Sequence, residues 1–268
     1  MSGRDDDRWV LFPLYFRERA GTCVVNITLA DEARQRGLGV RVLLTIHINS
    51  TDNGGAGSRE EREALDEATD RAAETLGKLC GGELGGHLRE PGFLRQCYYA
   101  KGAPSDKAKA AAVRELAGWR TEIEVEADAE WAYFRDELLP TDVEWEWASN
   151  SDVEASLSKS GDPLATPREV EHWAYFPDQV AADKYAAWLG SEGFEVRDCK
   201  LHERDEEAEE AAAAEDEETS DEPRYVVRFA RQDLPSADEI TPVTFELRRA
   251  AEEHGGDYDG WETAVLKE

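Results

Sequence analysis

Apolar residues recur at every second position in two early stretches, Cys23–Val25–Ile27–Leu29 and Val40–Val42–Leu44–Ile46–Ile48. Period two turns one side of an extended strand toward a core. Ser58 then stands three residues before Glu61, the spacing of a capping box. Leu65, Ala68, Ala72, Leu76 and Leu79 follow at helical spacing and predict a helix over 59–79. GGELGG (81–86) reads as a turn region, Phe93–Tyr99 as a strand and 105–117 as an Ala-rich helix. Over 121–126 a strand sets Glu122, Glu124 and Glu126 on one side. Ser151 and Glu154 again fit a capping box, before a short helix that ends near Gly161.

Residues 161–170, GDPLATPREV, hold two prolines and little apolar content, and read as a linker. The expected organisation is therefore an α+β chain of two domains, 1–160 and 171–268. In the second, His172–Phe176 is a strand and Asp178 caps a helix with the stripe Ala182, Tyr185, Ala186 and Leu189. Phe194–Leu201 and the stretch around Tyr225, Val227 and Phe229 are two further strands. A helix carrying Ile240, Val243, Leu247 and Ala250 on one face comes next. Starting it at Thr241 puts Pro242 in the first turn, where its missing N–H costs nothing. Starting it at Ser236 leaves Pro242 inside the helix. Gly255 and Gly256 stop it, and 257–266 is the last strand. This order, βαββαβ, is the ferredoxin-like pattern: an antiparallel sheet with two helices on one face.

Between the second and third of these strands, 204–223 forms an acidic, low-complexity insertion. It holds eleven acids between Asp205 and Glu222, and its composition predicts disorder. The whole chain has 31 Lys and Arg against 60 Asp and Glu, a net charge of −29. Such a surface disfavours direct binding to nucleic acid, which relies on Lys and Arg displacing counterions. It also disfavours anionic membranes and favours basic protein segments. No apolar run reaches the roughly 20 residues of a membrane span. The start MSGRDDDR does not read as a secretory signal, so a cytoplasmic location is expected.

Candidate chemistry is sparse. Cys23, Cys80, Cys97 and Cys199 form no CxxC pair and read as free thiols, without a metal or disulfide framework. GGAGS (54–58) and GGELGGH lack the Lys of a phosphate cradle, and there is no GxSxG elbow. No cofactor is expected. The third strand of the second half, YVVRFARQ, lacks the glycine and spacing of an RNA-binding sheet. The histidines are scattered. A hydrolase-type enzyme in the N-terminal domain, using His47 or His87, is the alternative, as is a small-ligand sensor. Nothing in the sequence sets the oligomeric state.

EHWAYFPDQVAADKYAAWLGSEGFEV (171–196), YVVRFA (225–230) and GGDYDGWET (255–263) resemble the RraB family, regulators of ribonuclease E activity. The first half, with WAYFRDELLP (131–140), is similar to an uncharacterised domain found in front of RraB-like domains. The resemblance implies a non-enzymatic inhibitor that docks on a basic protein segment, with ribonuclease E as partner. In the closing stretch, Tyr258 and Trp261 are three apart and would face opposite sides of a regular strand. A bulge at Gly260 would bring them together. Two arrangements are open. Trp261 fills the core while Tyr258 covers an edge, or Tyr258, Asp259, Gly260 and Trp261, with His172 and Tyr175, form a partner-binding surface.

Overall fold

The computed structural model describes residues 7–29, 36–50, 57–201 and 224–267. The acidic insertion 204–223 and His202 lie outside the described residues. The chain divides into two compact units, Met1–Trp145 and Glu146–Glu268. Among the described residues no helix is long and apolar enough to cross a membrane.

The first unit is built on a six-stranded antiparallel sheet. Its strands are β1 (Trp9–Pro13), β2 (Thr22–Asn26), β3 (Val40–His47), β4 (Glu83–Glu90), β5 (Phe93–Ala100) and β6 (Thr121–Ala127), in the order β1-β2-β4-β5-β3-β6. Helices α1 (Arg59–Cys80) and α2 (Asp106–Glu115) cover one face. Leu65, Ala68, Ala72 and Leu76 of α1 pack there on Val42, Leu44 and Ile46 of β3. Ser58 caps α1 by accepting the Glu61 N–H at 3.1 Å. The Glu61 carboxylate does not close the box. It accepts the N–H groups of Asn49 and Ser50 and the indole N–H of Trp119 instead.

Two expected elements are corrected here. The strand predicted through Ile27 and Leu29 stops at Asn26, because the buried Asn26 carboxamide accepts the Leu29 N–H at 3.2 Å and opens a helical turn. Of GGELGG only Gly81 and Gly82 turn, with Gly81 as the left-handed C-cap of α1, and Glu83–Gly86 already belong to β4. A Cβ on Gly86 would lie 2.7 Å from the Val24 carbonyl oxygen, and one on Gly85 would lie 3.2 Å from the Phe134 ring. These glycines permit close approach of a neighbouring strand and a buried ring, a strand use of glycine that mimics a turn signal.

The second unit has the sheet order β10-β7-β9-β8, antiparallel throughout. Its strands are β7 (Arg168–Phe176), β8 (Glu195–Leu201), β9 (Tyr225–Asp233) and β10 (Asp257–Thr263). Helix α4 (Gln179–Ser191) joins β7 to β8, and α5 (Ala237–Glu253) joins β9 to β10. Ala182, Tyr185 and Leu189 of α4 and Leu247, Ala250 and Ala251 of α5 share one core with Ala174, Phe176, Val227, Phe229 and Tyr258. Both helices therefore lie on one face of the sheet.

The helix expected to begin at Ser151 is longer. It is α3 (Asp142–Lys159), and Glu154 does not cap it. The Glu154 carboxylate instead accepts the Ala237 N–H at the start of α5. That contact bears on the other helix start. Helix α5 begins at Ala237, not Thr241, so Pro242 does lie inside it. Ser236 is the cap position but makes no side-chain cap bond, so Glu154 takes over that role. The stretch 161–170 lies inside the second unit, where the Asp162 carboxylate accepts the N–H groups of Leu164 and Leu266 and pairs with Arg168 at 2.8 Å.

Replacing Gly86 by Ala should lower the unfolding free energy of the first unit by about 1–3 kcal/mol, the usual cost of overpacking. Gly92→Ala, where a Cβ meets nothing within 4 Å, carries only its positive-φ strain. Chemical denaturation of the two variants measures the difference.

Candidate functional site

The YDGW stretch pairs with β7 in a broken register. Tyr258 stands opposite Ala174, Gly260 opposite Trp173 and Trp261 opposite His172, with a bulge between Tyr258 and Gly260. Asp259 is the extra residue and is exposed. Gly260 has φ +154, which a glycine adopts without strain. Opposed residues share a face of the sheet. The bulge therefore turns Tyr258 and Trp261 to the same, helix-covered side.

Their positions reverse the packing expected for that case. Tyr258 is 1% exposed and belongs to the core. Its hydroxyl lies 2.8 Å from His172 Nδ1, and His172 is itself fully buried, stacked on Phe229 at 5.2 Å. Burial, and then the Arg231 charge, hold the imidazole pKa down to about 3. Burial pushes the Tyr258 phenol well above its usual range. The pair is thus neutral. His172 Nε2 has no hydrogen-bond partner among the described residues.

Trp261 is partly buried rather than filling the core, and its indole N–H donates to Asn150 Oδ1 at 2.7 Å. The Asn150 amide group donates in turn to Thr241 Oγ1 at 3.0 Å and Thr244 Oγ1 at 2.9 Å. Asn150 is 3% exposed. One carboxamide therefore joins α3, α5 and β10. Around it, Trp147 donates to Asp238 at 2.8 Å, and Arg248 pairs with Glu146 at 2.7 Å while donating to the Tyr258 carbonyl at 3.0 Å. Asn150 carries no sequence signal as a site residue. It sits within a helix predicted to begin after it.

Among the described residues of the second unit, the helices α4 and α5 both pack on one face of the sheet, and none packs on the opposite face. Tyr175 is half-buried there, on the same side as Trp173, Glu171 and Arg228. The Arg228 guanidinium lies 5.9 Å from the Trp173 ring centre, and it reaches Glu171 at 3.4 Å and Asp198 at 3.5 Å. Arg224 lies 5.2 Å from the Tyr175 ring centre. Gly260 stands beside Trp173 on this face, and a Cβ there would meet nothing within 4 Å. The six predicted contact residues are thus split. Tyr258, His172 and Trp261 face the helices, Tyr175 and Gly260 face the open side, and Asp259 projects from the bulge. As placed, His172 and Tyr258 expose almost no atom to a partner.

In the first unit His47 Nε2 lies 3.1 Å from Glu122 Oε1, which also pairs with Arg120 at 2.6 Å. His87 is a separate residue on β4, its pKa lowered to about 4 by burial and then by Arg89. The Cys23 and Cys97 thiols are buried, and burial pushes Cys23 up to about 12. Among the described residues no group of three His, Cys, Asp or Glu could hold a metal ion.

These features define a two-unit α+β protein whose second unit presents a helix-backed sheet. Residues 147–263 match the family Regulator of ribonuclease activity B (RraB). Residues 7–139 match a family of unknown function (DUF695). The chain thus carries a match to that unknown-function family in its first part and a match to RraB in its second. No curated protein matches the chain. A crystal structure of an unknown protein from Galdieria sulphuraria is 11% identical over 85% of this chain and 99% of its own, with a TM-score of 0.22. A putative glycine cleavage system transcriptional repressor is 6% identical over 84% of this chain and 98% of its own, with a TM-score of 0.25. At these scores neither likeness carries an argument.

Two outcomes follow for the buried polar groups. Asn150→Ala and Trp261→Phe should each cost the second unit about 1–3 kcal/mol, since each strands a buried polar group. Combined they should cost clearly less than the sum, and a double-mutant cycle reads the coupling. For His172 the unfolded chain binds a proton near pH 6.5 while the folded one resists it down to about 3. Stability contributed by the neutral ring is therefore complete above about pH 6.5 and falls as pH drops toward 3. The slope is up to about 1.4 kcal/mol per pH unit. Subtracting the curve of His172→Gln from that of the native chain isolates this component.

Proposed function

We propose that the chain is a non-catalytic regulator of ribonuclease activity that works by binding a basic protein segment, with ribonuclease E as the partner. The observation that carries this reading is the RraB match over 147–263. The net charge of −29 supports it, because such a surface attracts cationic segments at long range and repels nucleic acid. The strand order β10-β7-β9-β8 with two helices on one face supports a ferredoxin-like reading of this domain. On this reading the N-terminal domain is a separate module, and the acidic insertion 204–223 adds eleven acids between Asp205 and Glu222 to the attraction.

Of the six residues expected to contact the partner, the exposed or half-buried ones on the uncovered sheet face and its bulge serve best. These are Tyr175, Gly260 and Asp259, with Trp173 beside them. Tyr258, His172 and Trp261 act as the frame that sets the bulge. The protein contributes charge and shape rather than bond-making groups.

Purified full-length chain titrated against the host's ribonuclease E should bind at low ionic strength and reduce cleavage of a model RNA. Affinity should fall steeply as salt rises past the roughly 8 Å screening length of physiological ionic strength. Tyr175→Ala should weaken binding by about 1–2 kcal/mol without unfolding the domain, the range of an interface aromatic. No association at low salt contradicts the proposal.

A further inference from the structure

The helix-covered side of the second unit carries a groove that none of the sequence motifs marked. It runs between the C-terminal end of α4 and the middle of α5 and has a volume of about 240 Å³. Trp188, Phe194, Val243 and Leu247 form its apolar walls, and Glu192, the residue that caps the C-terminus of α4, and Glu246 of α5 line it from two sides. The volume is below the range of about 300–1,000 Å³ that holds a cofactor or drug-sized ligand. It suits one large side chain.

We infer that this groove receives an arginine side chain from the basic partner segment. The inference rests on the reading above that the partner is a basic protein. Three observations support it. First, Trp188 is pre-set as a platform, because its ring stacks on the buried Tyr185 at 5.5 Å and 29°. A guanidinium lying on an indole gains cation–π energy, and a fixed platform loses little entropy on binding.

Second, the Glu192 carboxylate makes no ion pair or side-chain hydrogen bond with any described residue. Glu246 is held by Arg249 at 2.6 Å and adds negative potential across the groove. Third, the one cation in the wall is already satisfied. Arg231 donates to both Asp233 oxygens at 2.9 and 3.0 Å and lies 4.2 Å from the Phe194 ring centre. It completes the wall and does not compete for Glu192.

An apolar slot with an unpaired acid on its rim matches an arginine, whose stem packs on Val243 and Leu247 and whose planar fork reaches the carboxylate. A lysine would satisfy the charge but not the stacking. A leucine would satisfy the walls but not the acid.

The test titrates full-length, 15N-labelled protein with a blocked peptide that carries a single arginine in a Gly-Ser background. Matched peptides carry lysine, citrulline or leucine at the same position. The Trp188 indole signal, assigned through Trp188→Phe, should shift saturably with the arginine peptide, several-fold more weakly with lysine, and little with citrulline or leucine. Glu192→Gln should weaken arginine binding about five- to tenfold. Glu252→Gln, the same charge change at an exposed position further along α5, should leave it unchanged.

The groove assignment is overturned if the Trp188 signal stays still, if citrulline or leucine moves it as well as arginine, or if the two Gln variants act alike. A groove that fails while ribonuclease E still binds the native chain leaves the regulatory reading standing. Loss of ribonuclease E binding to the native chain removes that reading instead.

Discussion

One carboxamide ties the helices of the second unit to its sheet. Asn150 reaches from α3 to Thr241 and Thr244 on α5 and to the Trp261 indole on β10. A buried amide of this kind is costly unless its partners are present, and valuable when they are. The network also explains two oddities elsewhere. It accompanies the bulge at Asp259, since only a shifted register turns Trp261 toward the helices. It also fixes the first turns of α5 ahead of Pro242, together with Glu154 at the Ala237 N–H and Trp147 at Asp238. The family match begins at Trp147, so α3 from that point on belongs to the domain in sequence as well as in packing.

The consequence for function is a division of labour across the sheet. The helix side is committed to structure by Tyr258, His172 and Trp261, and it carries the small groove between α4 and α5. The other side carries half-buried aromatics among loosely spaced ion pairs, with Arg228 between Glu171 and Asp198 at 3.4–3.5 Å. Exposed pairs of that length contribute little to stability.

Much of the fold was legible in the sequence because its signals are local. The caps at Ser58 and Asp178, the stripe Ala182–Tyr185–Leu189 and the alternation in β3 each depend on a few neighbouring residues. What was not legible depends on distant partners. The helical turn after Asn26, the strand built from GGELGG and the start of α5 at Ala237 are decided by a carboxamide, a neighbouring strand and a glutamate from another helix. Local rules preferred a strand, a turn and a start at Thr241. The bulge in YDGW was readable from Asp-Gly and the three-residue spacing. Which aromatic it would bury was not, because that is set by Asn150 and His172, far away in sequence.

The direct test of this account is hydrogen exchange at the Trp261 indole N–H, followed by NMR in the intact chain. If Asn150 clasps that group within a cooperative core, the proton exchanges only through opening of the whole second unit. Its protection then matches that of the slowest backbone amides of β7 and β9. Exchange at the rate of an exposed indole, with those amides still protected, would contradict the central role given to Asn150.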